Sequence, residues 1–104
     1  MNQVKAIING TLIDGTGAAP LKDAVILVKE GKITHVGAAG EFKLPDDAEL
    51  IDATGKTIIP GMTDCHVHMK WVPTGEKPNE GDLSLQCAHA LHQSLMKGIT
   101  TVRS

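Results

Sequence analysis

Residues 60–68 read Pro60-Gly61-Met62-Thr63-Asp64-Cys65-His66-Val67-His68, and the interpretation of the whole chain turns on them. After Pro60-Gly61 the character of the sequence changes, and Met62 to Met69 predicts a strand. Side chains in a strand alternate with a period of two, so Asp64, His66 and His68 fall on one face and Cys65 and Val67 on the other. Two imidazoles at neighbouring same-side positions suit one transition metal, zinc or another divalent ion, at Zn–N distances of about 2.0–2.1 Å. Asp64 is placed to orient an imidazole by accepting its second N–H, and Cys65 is expected to pack rather than to ligate. A pair of histidines is only part of a zinc site, which takes three or four protein ligands.

Downstream, Lys70 to Gly81 is polar and rich in Gly and Pro, a loop that carries Trp71. Trp71 follows the metal strand and is a candidate for lining a pocket or plugging the core. Asp82 predicts a helix N-cap, because its carboxylate can accept from the first free N–H groups. Leu83, Cys87, Leu91 and Ser94-Leu95 then recur at three- and four-residue spacing, and Gly98 suits the position just past a helix end. Ile99 to Val102 reads as another strand. Strand, loop, helix and strand make one βαβ unit with parallel strands and a right-handed crossover.

Upstream, the chain reads as short strands punctuated by Gly, Asn and Asp. Val4 to Ile8 closes on Asn9-Gly10, a hairpin dipeptide, and Thr11 to Ile13 returns. Asp14 to Pro20 is a loop. Ala24 to Val28 and Ile33 to Val36 flank the Glu30-Gly31-Lys32 turn, and Glu49 to Ala53 and Thr57 to Ile59 pair across Thr54-Gly55-Lys56. Such spacing predicts an antiparallel sandwich or small barrel. The expected fold class is mixed β and α/β, with a β-sandwich segment over 1–59 and a βαβ unit over 60–104.

Composition removes several functions. With 10 Lys and Arg against 12 Asp and Glu, a net charge of −2 offers no field for a phosphate backbone. One Trp, one Phe and no Tyr leave no stacking platform for bases, so no nucleic-acid partner is expected. No apolar run approaches the ~20 residues of a membrane span, and the start MNQVKAIING does not resemble a secretory signal. Cys65 and Cys87 are too few and too far apart for a disulfide framework, and the expected compartment is the cytoplasm. Gly55-Lys56-Thr57 ends like a phosphate loop, but Leu50 stands where its first glycine belongs. In Gly15-x-Gly17, Pro20 replaces the third glycine of a dinucleotide loop. His89 and His92 read as a solvated helix face, and His35 as a half-exposed strand residue.

The pattern PGMTDCHVH, preceded by a Gly-containing turn and an Ile-Ile strand, resembles the amidohydrolase superfamily signature PGxxDxHxH. The segments DGTG (14–17), Val28 to Ile33, Val36-Gly37 and Asp52 to Gly55 resemble that superfamily's entry region. Gly98 to Arg103, GITTVR, is similar to the imidazolonepropionase and Xaa-Pro dipeptidase-like branch. The resemblance implies a small β-sandwich of the urease-alpha and amidohydrolase composite type, followed by the first βαβ unit of a metal-dependent TIM barrel. It puts His66 and His68 on the more buried metal, Leu83 to Lys97 in the first barrel helix and Ile99 to Val102 in the second barrel strand. It also implies hydrolysis of C–N bonds, in a non-peptide amide, cyclic amide or dipeptide, by a metal-activated water.

Relatives add a bridging carboxylated lysine or carboxylate, two further histidines and a catalytic aspartate from later strands, and commonly have Asp where Ser104 stands. A complete barrel takes about 250 residues. The 104-residue chain is therefore expected to be a truncated amidohydrolase with no catalytic residue of its own, weak or absent zinc, and a small-molecule substrate only at full length. Two other readings stand beside it. One is a non-catalytic module whose unfinished sheet pairs with a second copy, giving a strand-swapped or intertwined dimer. The other is a small zinc-binding protein that joins His89, His92 or Cys87 to His66 and His68.

Overall fold

In a computed structural model that describes residues 3–69, 75–77 and 79–103, the chain divides into two units, Met1–Pro60 and Gly61–Ser104. The first unit is a five-stranded mixed sheet made by β1 (Lys5–Leu12), β2 (Leu21–Lys29), β3 (Lys32–Ala38), β4 (Glu49–Asp52) and β5 (Thr57–Ile58). Its order is β3-β2-β1-β4, with β5 also paired to β1. β2 is antiparallel to β1 and β3, whereas β4 and β5 run parallel to β1.

Two expected hairpins are absent, each for a local reason. Asn9-Gly10 does not reverse the chain. β1 runs straight through it, and its register against β2 shifts between Ile7 and Gly10 and again before Leu12. Asn9 takes the left-handed conformation at φ 65°, and its amide donates to Asp52 Oδ1 at 3.1 Å. A bulge thus consumes the turn chemistry. Likewise β4 and β5 do not pair with each other. Lys56 N–H donates to the Ala53 carbonyl at 2.9 Å, and Thr11 N–H donates to the Lys56 carbonyl at 3.0 Å. This turn returns the chain to the same edge of β1, one bulge further along. The turn at Glu30-Gly31 is as expected, with φ values of 52° and 72° that suit a two-residue hairpin loop.

The central strand β2 buries Ala24, Val25, Ile26 and Leu27 in succession, so both faces of the sheet are covered there. Ala6, Val25 and Leu27 form one cluster, packed by Val4, Ile8, Phe42, Leu44 and Ala48. Leu12, Ala24 and Ile26 form the other, against Ile7, Leu21, Val28 and Ile58. The expected sandwich is corrected here. Among the described residues this unit has one sheet, and the connection between β3 and β4 supplies the cover that a second sheet would give.

The second unit holds β6 (Met62–Asp64), α1 (Glu80–Met96) and β7 (Ile99–Val102), with β6 and β7 parallel. The expected βαβ order is present, but the strand is short, ending at Asp64 rather than Met69. Gly61 lets the two strands approach: a Cβ there would lie 2.8 Å from Thr100 Cβ. The helix starts earlier than expected. Asn79, not Asp82, is the N-cap, and its side chain accepts from Gly81 N–H at 2.9 Å. Asp82 instead joins Glu80 in the first turn, where the helix dipole favours negative charge. Gly98 closes the helix at φ 88°, donating to the Leu95 carbonyl at 2.9 Å. Leu83, Cys87, Ala90 and Ser94 form the half-buried stripe of α1, while Leu91 and Leu95 are exposed. No helix among the described residues is long and apolar enough to cross a membrane.

Candidate metal centre

The predicted site lies just beyond the C-terminal end of β6. Asp64 is the last strand residue, and His66 and His68 follow in irregular backbone. The alternation argument therefore does not apply to them as stated, yet the two rings still meet. His66 Nε2 and His68 Nε2 are 3.1 Å apart, with ring centroids 5.0 Å apart and planes at 61°. Both side chains are exposed.

The backbone explains the departure from a strand. Arg103 N–H donates to the Asp64 carbonyl at 2.9 Å, and Val67 N–H donates to the Arg103 carbonyl at 3.3 Å. In a regular parallel ladder the second bond would come from the residue two after Asp64, namely His66. It comes from Val67, so one extra residue is accommodated between the two bonds, as in a bulge. His66 N–H loses its ladder partner and donates to Asp64 Oδ1 at 3.1 Å. The Asp64 carboxylate thus meets the His66 main chain, where the sequence pointed to an imidazole N–H. Cys65, expected to pack, is exposed.

Whether these residues fit a metal is a question of distances. Two nitrogens bound to one tetrahedral zinc at 2.0–2.1 Å lie about 3.3–3.4 Å apart, close to the 3.1 Å between the two Nε2 atoms. The pair fits two positions of a divalent ion. Among the described residues no group of three or more His, Cys, Asp and Glu could hold an ion. His89 and His92 are exposed on α1, and Cys87 donates its thiol to the Met69 carbonyl at 3.4 Å, so none of them completes the pair. Trp71 and Ser104 lie outside the described residues. The residue that sequence reasoning missed is Arg103, which acts through its main chain and leaves no side-chain signal.

Two acidic turns in the first unit share one construction. Asp14 Oδ1 accepts from the Thr16 hydroxyl at 2.7 Å and from Thr16 N–H at 2.9 Å. Asp52 Oδ1 accepts from the Thr54 hydroxyl at 2.7 Å and from Thr54 N–H at 3.0 Å. The Thr hydroxyl is the main cause that holds each carboxyl below its ordinary value. Both turns are structural: they close strands and face water.

No family model matches the chain. Among curated proteins it is similar to the imidazolonepropionase of Idiomarina loihiensis, 36% identical over 80 residues that cover 77% of this chain and 19% of that protein. It is also similar to the imidazolonepropionase of Rhizobium rhizogenes, 44% identical over 71 residues, covering 67% of this chain and 17% of the relative. The chain thus spans about a fifth of the length of these relatives. Among solved structures, molinate hydrolase superposes with a TM-score of 0.81 and 30% identity, covering 97% of this chain and 23% of that one. The ochratoxinase of A. niger superposes with a TM-score of 0.84 over 100% of this chain and 26% of that one, and at 22% identity it speaks for the fold alone.

On these matches and its signature the chain belongs to the amidohydrolase superfamily and is imidazolonepropionase-like. Its β-rich architecture with one helix matches the N-terminal regions of those hydrolases.

Proposed function

We propose that this chain contributes the first metal-binding element of a metal-dependent amidohydrolase that hydrolyses C–N bonds, with β6, α1 and β7 as the first βαβ unit of a TIM barrel. The observation that carries the reading is the convergence of His66 Nε2 and His68 Nε2 at 3.1 Å past the C-terminal end of β6. Parallel barrels build their active sites at that end of their strands. His66 and His68 would hold zinc or another divalent ion through Nε2. A bound ion of this kind polarises a scissile carbonyl and lowers the pKa of its water toward ~7.

The substrate class carried by the superfamily is a non-peptide amide, a cyclic amide or a dipeptide. Two nitrogens fall short of the three or four that hold zinc tightly, so weak binding and no turnover are expected of these 104 residues alone. Free Cys65 and Cys87 suit a reducing cytoplasm. Calorimetric zinc titration tests the reading. The expected result is weak binding that disappears in the His66→Ala, His68→Ala double variant. Binding of equal strength in the double variant would overturn the assignment of the pair.

A further inference from the structure

The chain has spent an acidic side chain on a single backbone amide beside the histidine pair. Arg103 brackets the segment, donating to the Asp64 carbonyl and accepting from Val67 N–H. Because Val67 has taken the bond that His66 would make in a regular ladder, His66 N–H depends on Asp64 Oδ1, 3.1 Å away. Bulges are common next to active sites, where they re-aim a side chain.

We propose that Asp64 is a positioning residue for the metal pair, acting through the main chain: its carboxylate caps His66 N–H, holds the bulge at 65–66 and so sets His66 Nε2 beside His68 Nε2. The inference rests on the metal reading above and differs from it in mechanism, since no imidazole N–H is involved. An acceptor oxygen at position 64 is what the bulge requires. A negative charge there is not.

The test is a cobalt(II) titration of the 104-residue chain, read by the visible ligand-field bands of the ion, on the natural protein, Asp64→Ala, Asp64→Asn and the His66→Ala, His68→Ala double variant. The His66 amide proton is followed by NMR in the metal-free proteins. Asp64→Ala is expected to weaken cobalt binding by about tenfold or more, the scale of losing a residue that orients a ligand, and to release the His66 amide from its hydrogen bond. Asp64→Asn, whose amide oxygen can accept the same N–H, is expected to restore both readouts. If Asp64→Asn is as weak as Asp64→Ala, the charge matters and the proposal fails. Unchanged binding in Asp64→Ala overturns it equally. Should Asp64→Ala not fold, the Asn variant decides alone: near-natural affinity with a bonded His66 amide supports the proposal, and loss of either overturns it. Binding that survives the double histidine variant overturns the metal reading itself, an outcome separate from a failure at Asp64.

Discussion

Asp52 shows how a single exposed carboxylate organises a junction. It accepts from the Thr54 hydroxyl, from Thr54 N–H and from the Asn9 amide, tying the turn after β4 to the bulge in β1. These donors, the Thr54 hydroxyl foremost and then Asn9, hold its pKa below the ordinary 3.8, with Lys56 adding a little. A carboxyl whose folded pKa is depressed stabilises the fold above its unfolded value and loses that contribution as pH falls through the folded one. Stability is therefore expected to drop on acidification below 3.8. In Asp52→Asn the neutral side chain has no such linkage. Urea unfolding should show it less stable than the natural protein at neutral pH, with the gap closing in acid. A gap that stays constant with pH would refute this. At the same scale, the sequence set His66 and His68 two apart and the structure brings their rings together, but the partner of the Asp64 carboxylate was not legible, because the partner of His66 N–H depends on where Val67 bonds.

At the level of elements, the bulge in β1 shows turn chemistry put to a different use. Asn9-Gly10 reads as a hairpin because both residues tolerate unusual backbone angles. Only Asn9 takes a positive φ; Gly10 is needed for space. A Cβ at Gly10 would lie 2.6 Å from Ile58 Cδ1 and 3.0 Å from Ala53 Cβ. Gly10→Ala is thus expected to destabilise the first unit by about 1–3 kcal/mol, the usual cost of overpacking. It should appear as a lower urea midpoint with an unchanged slope. Trimming the obstruction in Gly10→Ala, Ile58→Ala should give a smaller loss than the two single changes added together. Additive losses would mean that the crowding is not the cause. The helix tells the same story more mildly. Its C-terminal stop at Gly98 was legible because the chemistry is local, whereas Asn79 and Asp82 are both good caps and three residues apart, and local chemistry alone does not choose between them.

At the scale of the whole molecule, the described residues leave large apolar side chains exposed. α1 buries none of its residues, and Leu85, Leu95 and Met96 are all more than half exposed. In the first unit Ile33, Leu50 and Ile59 are likewise exposed. Apolar side chains exposed in this number are candidates for an interaction surface, and we propose a second copy as the partner of the 104-residue chain. Light scattering coupled to size-exclusion chromatography is expected to give the mass of a dimer, shifted toward monomer by Leu95→Lys together with Met96→Lys. A monomer at all concentrations would refute the proposal.

Sequence by itself determined the periodic and the local: the β-rich first sixty residues, the βαβ order after Gly61, the Glu30-Gly31 turn, the Gly98 stop, and the histidine pair with its superfamily signature. These depend on side-chain type and near-neighbour chemistry, which a chain carries wherever it is placed. Tertiary structure alone decided that Asn9-Gly10 is a bulge, that β4 and β5 share one edge of β1, and that a connection rather than a second sheet covers Ala6, Val25 and Leu27. It also decided that Asp64 serves the His66 main chain. Each of these rests on which distant backbone group takes a hydrogen bond, such as Lys56 to Thr11 or Arg103 to Val67. A backbone amide is the same in every residue but proline, so the identity of its partner is not written in the residues themselves.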